Sequence, residues 1–314
     1  MLSFLNKKPG FTLGIDIGLT SIKILELSSA LDQYCVEGFS SVELPTHLND
    51  PAEIIQYFNI NPSNSNFLSK KAVIALPNSQ VISKIIQLSA HIPERDIEDW
   101  ILMDVEKYMP YSLQDIHLDF NILGPSAQDV SQLDVLLIIA RAESVQRRVE
   151  VVKRMGFEVQ VVEVESHAIE RASCLWTSQQ PLVQQENYSA LFDIHRSCVR
   201  CFVFKGHHII SSREDALDVI ENLQTFQTHV LQSIKRHLQF TASDIHHERL
   251  HSIVLAGGMG EINELCSLIQ RNFGIHTYVA NPFVNMTFVS DELKNQMNQH
   301  ASEWMIACGL ALRR

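Results

Sequence analysis

A short run near the start of the chain combines the groups that a phosphate site requires: a carboxylate, a glycine, two hydroxyls and a lysine. Its members are Asp16, Gly18, Leu19, Thr20, Ser21 and Lys23. Glycine lets a turn approach an anion closely, and adjacent backbone N–H groups can then cradle its oxygen atoms. The hydroxyls and the ammonium could bind further phosphate oxygens, and Asp16 could hold Mg²⁺ through water. We call this run the first phosphate turn.

A second set of residues with related chemistry lies in the other half of the chain. Asp193 ends an apolar run and precedes another turn. Gly257 and Gly258 follow an apolar run and, with Met259, precede a predicted helix. This pair would face a ribose or an α-phosphate at the helix N-terminus. The two halves of the chain therefore echo each other.

Each piece has an ordinary structural explanation when it is taken alone. Asp and Gly are common in tight turns for purely structural reasons, and Gly-Gly is an ordinary connection between a strand and a helix. Their order is more specific: an Asp-x-Gly hairpin, an inserted unit, a second Asp hairpin and then Gly-Gly. The order favours a nucleotide-binding cleft over a set of unrelated turns.

Cysteine and histidine spacing argues against a metal or redox site. Cys198 and Cys201 are the closest pair among six cysteines, but they would point to opposite faces of one strand. The fourteen histidines include the adjacent pairs His207-His208 and His246-His247, which lack the spacing of a zinc site. We interpret these residues as reduced thiols and as loop or solvent-facing histidines.

Composition excludes two classes of partner. The net charge is -11, and the basic residues occur at most in pairs, so neither nucleic acid nor direct docking on an anionic membrane is expected. The longest clean apolar run, Val135–Ala140, is too short to span a bilayer. Lys7, Lys8 and Pro9 interrupt the start, so we expect no signal peptide and a cytoplasmic location.

The elements that would position the first phosphate turn begin with a hairpin. Phe11–Asp16 and Ile22–Leu27 are apolar runs on either side of the turn, and Tyr34–Val42 could add a third strand. Asp50–Pro51 is typical of a helix start, with the aspartate as N-cap. Lys71–Leu76 is predicted to be a buried strand.

Residues 80–164 are predicted to form a separate small unit. Its strands are placed at Val81–Leu88, Asp119–Leu123, Leu133–Ala140 and Val159–Val164. Two helices are placed between them, one opened by Pro93 and one that ends at Gly156. The order β-α-β-β-α-β is that of a split βαβ sandwich.

The second half repeats the hairpin. Ser189–Ile194 and Val199–Phe204 are predicted to pair around a turn. The apolar spacing over Asp215–Phe240 predicts one long helix, and His251–Leu255 is a predicted strand. Ser302 is expected to N-cap the last helix.

The ordered set resembles the actin, Hsp70 and hexokinase superfamily, and the rest of the sequence resembles the PilM family within it. The stretches that carry this second resemblance are Gly14–Gly18, Ser21–Leu27, Asp104–Tyr111, Val164–Ala172, Val279–Met286 and Ala307–Arg313. They extend along almost the whole chain.

The resemblance implies an α/β, actin-like ATPase fold with two lobes, in which duplicated mixed sheets are flanked by helices. It also implies an FtsA-like inserted small α+β subdomain and a reduced second-lobe subdomain. On this basis residues 1–79, 165–187 and 302–314 form the first lobe. Residues 80–164 form the inserted subdomain, and residues 188–301 form the second lobe.

The same resemblance implies a scaffold of the type IV pilus assembly machine. It would bind the cytoplasmic N-terminal peptide of PilN and, through PilN, the PilN/PilO/PilP complex at the inner membrane, with pilus motor ATPases as further partners. The peptide is expected in a groove near the inserted subdomain. Trp100, Met109 and Tyr111 are candidates to line that groove, although ordinary core packing would also explain them.

The superfamily further implies ATP and Mg²⁺, with Glu165 near the γ-phosphate, where it could contact the attacking water. Glu165 could equally stabilise the N-terminus of its helix. The sequence departs from the family at the second turn, where His195 replaces a glycine and is followed by Arg196. A side chain there would hinder close backbone approach to a phosphate, although Arg196 could offset phosphate charge.

We therefore expect no enzymatic activity beyond at most a very weak ATPase. Alternative functions are a nucleotide-free adaptor similar to the secretion component GspL and, with less support, a small-molecule kinase or a polymer-forming actin homologue.

Overall fold

The computed structural model describes residues 10–18, 20–30, 33–44, 67–104, 111–177, 187–217, 222–245, 248–258 and 262–313. Several sequence predictions lie outside these ranges, namely the helix at Asp50–Pro51 and the site candidates Leu19, Met109 and Met259. Within the described residues, no helix is both long enough and apolar enough to cross a membrane.

The strands and helices follow one another in a regular order. The strands are β1 (Gly10–Ile17), β2 (Ser21–Ala30), β3 (Gln33–Glu43), β4 (Lys71–Leu76), β5 (Val81–Ser89), β6 (Ile116–Pro125), β7 (Gln132–Arg141), β8 (Glu158–Val164), β9 (Tyr188–Ile194), β10 (Cys198–Lys205), β11 (His208–Ala216), β12 (Leu250–Ala256), β13 (His276–Val279) and β14 (Thr287–Phe288). The α-helices are α1 (Ile97–Asp104), α2 (Ala142–Arg154), α3 (Glu165–Thr177), α4 (Leu223–Asp244), α5 (Ile262–Phe273), α6 (Asp291–Gln299) and α7 (Met305–Ala311).

The strands form two large mixed sheets and one small one. The first sheet has the order β14-β3-β2-β1-β4-β8, the second β11-β10-β9-β12-β13, and the small sheet β5-β7-β6. Each large sheet contains an antiparallel hairpin whose first strand also pairs in parallel with a later strand. The predicted duplication of mixed sheets is therefore confirmed.

Both faces of the first sheet are covered by other elements, which explains why its central strands are mostly apolar. In the first sheet, Leu13 and Ile15 pack against Val151 and Val152 of α2. The other face packs against the C-terminal segment, where Leu25, Leu27 and Val36 meet Trp304, Ala307 and Cys308. Strands that are covered on both faces read as continuous hydrophobic runs rather than as alternating ones.

The second sheet is covered in the same way. Its outer face packs against Phe226, Val230 and Ile234 of α4 and against Leu265 and Ile269 of α5. Its inner face meets residues of α3 and α7, namely Ala168, Ile169, Ala172, Met305, Ile306 and Leu310. Helices α3 and α7 thus lie between the two large sheets and join the lobes.

The strand pairing corrects the predicted split βαβ sandwich. β8 pairs in parallel with β4 of the first sheet, not with the small sheet. Helix α2, which precedes β8, contributes Val151 and Val152 to the core of the first lobe. The small sheet is therefore built only from β5, β6 and β7, and this pairing favours a boundary near Arg141 over the predicted limit at residue 164.

The predicted long helix at Asp215–Phe240 is wrong in its first part. His208–Ala216 forms β11, an edge strand that pairs with β10. The helix α4 begins only after Asn222, whose side chain accepts a hydrogen bond from the backbone N–H of Thr225. An Asn in this position is a common N-cap, and it sets where the helix starts.

Two glycines allow the interior helices to approach their neighbours. A Cβ at Gly309 of α7 would overlap the backbone carbonyl of Ala168 in α3. A Cβ at Gly14 of β1 would overlap the backbone oxygen of Ala307. The contact between α3, α7 and the first sheet is therefore made backbone to backbone, without room for a methyl group.

We expect Gly309→Ala to destabilise the protein by about 2 kcal/mol or more, because overpacking outweighs the higher helix propensity of alanine. Urea unfolding followed by circular dichroism measures this change. Gly10→Ala is the matched control, since a Cβ there meets nothing within 4 Å. Equal midpoints for the two variants would contradict the backbone contact.

Candidate functional site

The described residues of the first phosphate turn lie at the end of the predicted β1–β2 hairpin. Asp16 and Lys23 are paired across β1 and β2, and both side chains are buried. The N–H of Gly18 donates to the carbonyl of Ser21 at 2.9 Å and closes the turn. Lys23 Nζ donates to Ser21 Oγ at 3.0 Å. The carbonyl of Thr20 accepts from the N–H of Leu44 and ties the turn to the end of β3.

The second turn lies at the equivalent end of the second sheet. Asp193 sits between Arg200 on β10 and Ala256 on β12. The N–H of His195 donates to the carbonyl of Cys198 at 2.9 Å, which closes the hairpin. The His195 ring folds back, so that its Nε2 lies 3.0 Å from Asp193 Oδ2. The residue that departs from the family pattern is therefore engaged with the carboxylate beside it.

The Gly-Gly connection packs against the second turn. Gly257 has φ of 109°, and a Cβ there would overlap the carbonyl of Ile194. Its N–H donates to the carbonyl of Ser302 at 3.0 Å, and Ser302 Oγ donates to the carbonyl of Gly257 at 3.2 Å. A Cβ at Gly258 would lie 3.3 Å from the carboxylate of Glu303. The prediction that Ser302 caps the last helix is thus wrong, since its hydroxyl binds this connection instead.

A buried arginine connects the two lobes at this site. Arg200 donates from Nη1 to Glu165 Oε2, at the first residue of α3. Its Nε lies 3.7 Å from Asp193 Oδ2 and 3.8 Å from Glu214 Oε2. Arg200 was not predicted from the sequence, although a charged residue in the centre of an apolar strand is a signal that it requires a buried partner.

A second arginine, also not predicted, closes the cluster from the side of the first lobe. Arg148 of α2 donates from Nη1 to the carbonyl of Ile17 at 3.0 Å and to that of Ala75 at 2.9 Å. It therefore caps the ends of β1 and β4. Burial lowers the pKa of Arg148, while the charges of Glu165 and Asp16 oppose that shift.

The pKa values of the buried charged groups are shifted in different directions. Burial by itself would raise the pKa of Asp193, but the charges of His195 and Arg200 outweigh it and hold that pKa well below its usual range. Burial raises the pKa of Glu165, and Arg200 opposes this shift. Burial by itself would lower the pKa of Arg200, but the charges of Glu165 and Asp193 outweigh it and raise that pKa, so Arg200 stays charged.

The carboxylates of Asp193 and Glu165 as arranged do not fit Mg²⁺. Magnesium demands oxygen ligands in near-octahedral geometry and usually keeps several waters. Here the carboxylates of Asp193 and Glu165 are both engaged by Arg200. In the part of the chain that the structure describes, no group of three or more His, Cys, Asp or Glu side chains could hold a metal ion. Asp193 and Glu165 are therefore not open cation ligands, whereas the water-mediated Mg²⁺ site predicted at Asp16 stays a prediction.

Two of the predicted partner residues, Trp100 and Tyr111, fall within the described residues. The Trp100 side chain on α1 is 51% exposed. Tyr111 is also exposed, and the Arg141 guanidinium carbon lies 5.2 Å from its ring centroid. Met103, which was not predicted from the sequence, is 79% exposed. The Trp100 side chain is therefore not ordinary core.

We expect Asp193→Asn to lower the free energy of unfolding by about 3 kcal/mol at pH 7, because the buried guanidinium of Arg200 loses the carboxylate charge of Asp193. The folded-state pKa of Asp193 is depressed, so its contribution is present above the unfolded pKa of about 3.9 and is lost as the pH falls below it. The difference between wild type and variant should therefore shrink below about pH 4 in urea unfolding.

Asp244→Asn is the matched control for this prediction. Asp244 pairs with the more exposed Arg213, so its loss should change the free energy of unfolding by at most about 1 kcal/mol. A difference for Asp193→Asn that is as small as that of the control, or that does not vary with pH, would contradict the buried ion cluster.

Comparisons with known proteins identify the family. Residues 14–219 and 218–314 match the family model described as type IV pilus assembly protein PilM. The chain is similar to the solved "PilM-PilN type IV pilus biogenesis complex", at 20% identity and a TM-score of 0.75, over 96% of this chain and 98% of that one.

Two further solved structures are similar. Ethanolamine utilization protein EutJ from Carboxydothermus hydrogenoformans has 12% identity and a TM-score of 0.51, over 97% of this chain and 90% of that one. A Bacteroides thetaiotaomicron protein with an actin-like ATPase fold and unknown function has 11% identity and a TM-score of 0.49, over 90% of this chain and 95% of that one. The predicted actin-like ATPase fold is confirmed, and the chain belongs to the PilM family of type IV pilus assembly proteins.

Proposed function

We propose that the protein is a scaffold that binds the cytoplasmic N-terminal peptide of PilN through the exposed face of α1. The observation that carries this proposal is the exposure of Trp100 and Met103 on one side of that helix. The similar solved structure is a complex of a PilM with PilN, and we propose the same partner for this chain.

The two sides of α1 have different roles. Ile97 and Ile101 are 1% and 0% exposed, and they pack against Ile86 and other apolar residues of the small sheet. Trp100 and Met103 are three residues apart, so they lie close together on the helix surface, and both are exposed. An exposed tryptophan beside an exposed methionine is typical of a surface that binds an apolar peptide segment.

An open groove on the small sheet, lined by β5, β7 and the turn that follows β6, offers a second surface for the same peptide. Its volume is about 530 Å³, and its lining includes Lys84, Ile85, Gln87 and Asp134. β5 is an edge strand, so an extended peptide could add to it as a further strand. The α1 face is favoured because its exposed residues are larger and more apolar.

The scaffold would lie in the cytoplasm and at the inner membrane through PilN, rather than by an insertion of its own. PilN would connect it to PilO and PilP, and pilus motor ATPases are further proposed partners. A peripheral protein of this kind needs no basic surface for anionic lipids, which agrees with its net charge of -11.

Nucleotide could tune this binding, as the superfamily implies, or the cleft could serve only as a structural joint. The ion cluster favours the second version, because two carboxylates of the cleft, Asp193 and Glu165, are paired with Arg200. The same pairing argues against a small-molecule kinase, which needs an unpaired carboxylate to activate its substrate hydroxyl. We therefore propose that the protein is not an enzyme.

Trp100→Ala and Met103→Ala should each weaken binding of a synthetic PilN N-terminal peptide about tenfold, since exposed aromatic and methionine anchors dominate such interfaces. Isothermal titration calorimetry measures the affinity. Ile210→Ala is the control, because Ile210 is exposed on β11 of the second lobe. Unchanged affinity in both α1 variants, with a loss in Ile85→Ser, would move the site to the groove; no binding by wild type would contradict the proposed partner.

ATP with Mg²⁺ should leave the peptide affinity unchanged within about twofold. A ligand that binds two conformations of a protein equally well does not shift the equilibrium between them. The same titration in Asp16→Ala tests the alternative. ATP binding that is lost in Asp16→Ala, together with a change in wild-type peptide affinity, would establish the nucleotide-tuned version instead.

A further inference from the structure

We propose that Arg200 is a built-in cation that takes the place of a divalent ion between Asp193 and Glu165, and that it holds the two lobes together without a ligand. The observation behind it is the juxtaposition of one buried guanidinium with carboxylates from both lobes. This inference does not depend on PilN binding.

The backbone register fixes the guanidinium in this position. Arg200 is the antiparallel partner of Asp193 in the β9–β10 hairpin, so both side chains project from the same face of the second sheet. Glu165 directly follows the last residue of β8 and begins α3. The ion pair between Arg200 and Glu165 therefore joins the second sheet to the strand end of the first.

The cluster carries its own cations. Its acids are Asp16, Asp193, Glu165 and the partly exposed Glu214, and its permanent cations are Lys23, Arg148 and Arg200, with His195 beside Asp193. A divalent cation brought between the same acids would meet the fixed charge of Arg200 and Arg148. The repulsion is strong in a buried site, where the effective dielectric constant is well below that of water.

Arginine can carry out the structural part of a divalent ion's role. Its guanidinium is charged at all relevant pH values and presents several N–H donors in a rigid fork that suits carboxylates. Arg200 Nε makes no hydrogen bond within the described residues but lies 3.7 and 3.8 Å from the acids Asp193 and Glu214. Unlike a bound ion, it cannot dissociate, so the joint between the lobes does not depend on metal or nucleotide concentration.

Removal of Arg200 should therefore create a divalent-cation site. We would titrate the full chain with Mn²⁺ and follow binding by electron paramagnetic resonance and stability by the thermal midpoint, with Mg²⁺ as a second probe. Arg200→Ala should bind Mn²⁺ at least tenfold more tightly than wild type. Its lowered thermal midpoint should rise again with Mn²⁺ or Mg²⁺, while the wild-type midpoint stays constant.

Two controls restrict this result to the cluster. Arg213→Ala removes an arginine from the neighbouring strand, where it pairs with Asp244, and should behave like wild type. In the double variant Arg200→Ala/Asp193→Asn the new Mn²⁺ site should be lost. This loss would distinguish the site from weak Mn²⁺ binding to acidic residues on the surface. Arg200→Met keeps the length of the side chain, so it serves if the alanine variant does not fold.

The wild-type titration overturns the proposal independently of any variant. Saturable binding of Mn²⁺ to wild type that Asp193→Asn abolishes would show that the divalent ion coexists with Arg200. Equal Mn²⁺ affinity in wild type and in a folded Arg200→Ala or Arg200→Met variant would also overturn it. Failure of PilN peptide binding leaves these outcomes unchanged, so the two proposals fail separately.

Discussion

The structure depends on helix α7, which approaches α3 and the first sheet more closely than a side chain would allow. Helix α7 meets α3 at Gly309 and Ala168, and it meets β1 at Gly14. This contact sets the distance between the lobes, because α3 and α7 contribute apolar residues to the core between them. Protein interiors are packed too densely for one methyl group to be absorbed without a shift, so the spacing is effectively fixed.

The candidate site follows from that spacing. Helix α3 begins at Glu165, immediately after β8. The Glu165 carboxylate therefore lies where Arg200 of the second sheet can contact it. Charges buried in this way usually gain less from their attraction than they lose in hydration. What the cluster contributes is a unique arrangement, because any other relation between the lobes would leave at least one charge buried and unpaired.

Local patterns in the sequence predicted the strands and turns well, because hairpins depend on residues that are neighbours in the chain. The first phosphate turn and the hairpin around His195 were both anticipated on this basis. β8 was assigned to the wrong sheet, since a parallel strand chooses its partner through contacts that are distant in sequence. The long helix was predicted to begin too early, at Asp215, because the end of β11 is polar and exposed and the apolar spacing alone does not mark the N-cap at Asn222.

The chemistry of the cleft was predicted less well for a related reason. The acids Asp16 and Asp193 could be located from their turns, but Arg148 and Arg200 of the same cluster come from a helix and a strand whose places are set by the whole fold. A carboxylate that binds Mg²⁺ and one that is paired with arginine cannot be told apart in a single sequence. Only the arrangement of the partners distinguishes them, and here it favours a cleft that is filled by the protein itself.

A filled cleft is consistent with the work of a scaffold. A ligand that binds the folded state stabilises it by an amount that grows with ligand concentration over the dissociation constant. A joint made by ATP and Mg²⁺ would therefore weaken whenever their concentrations fall, and so would the surface that it supports. A cation that is part of the chain removes this dependence. On our proposal, the fold keeps the two-lobed frame of its superfamily and presents α1 to its partner on a frame whose rigidity does not vary with the nucleotide pool.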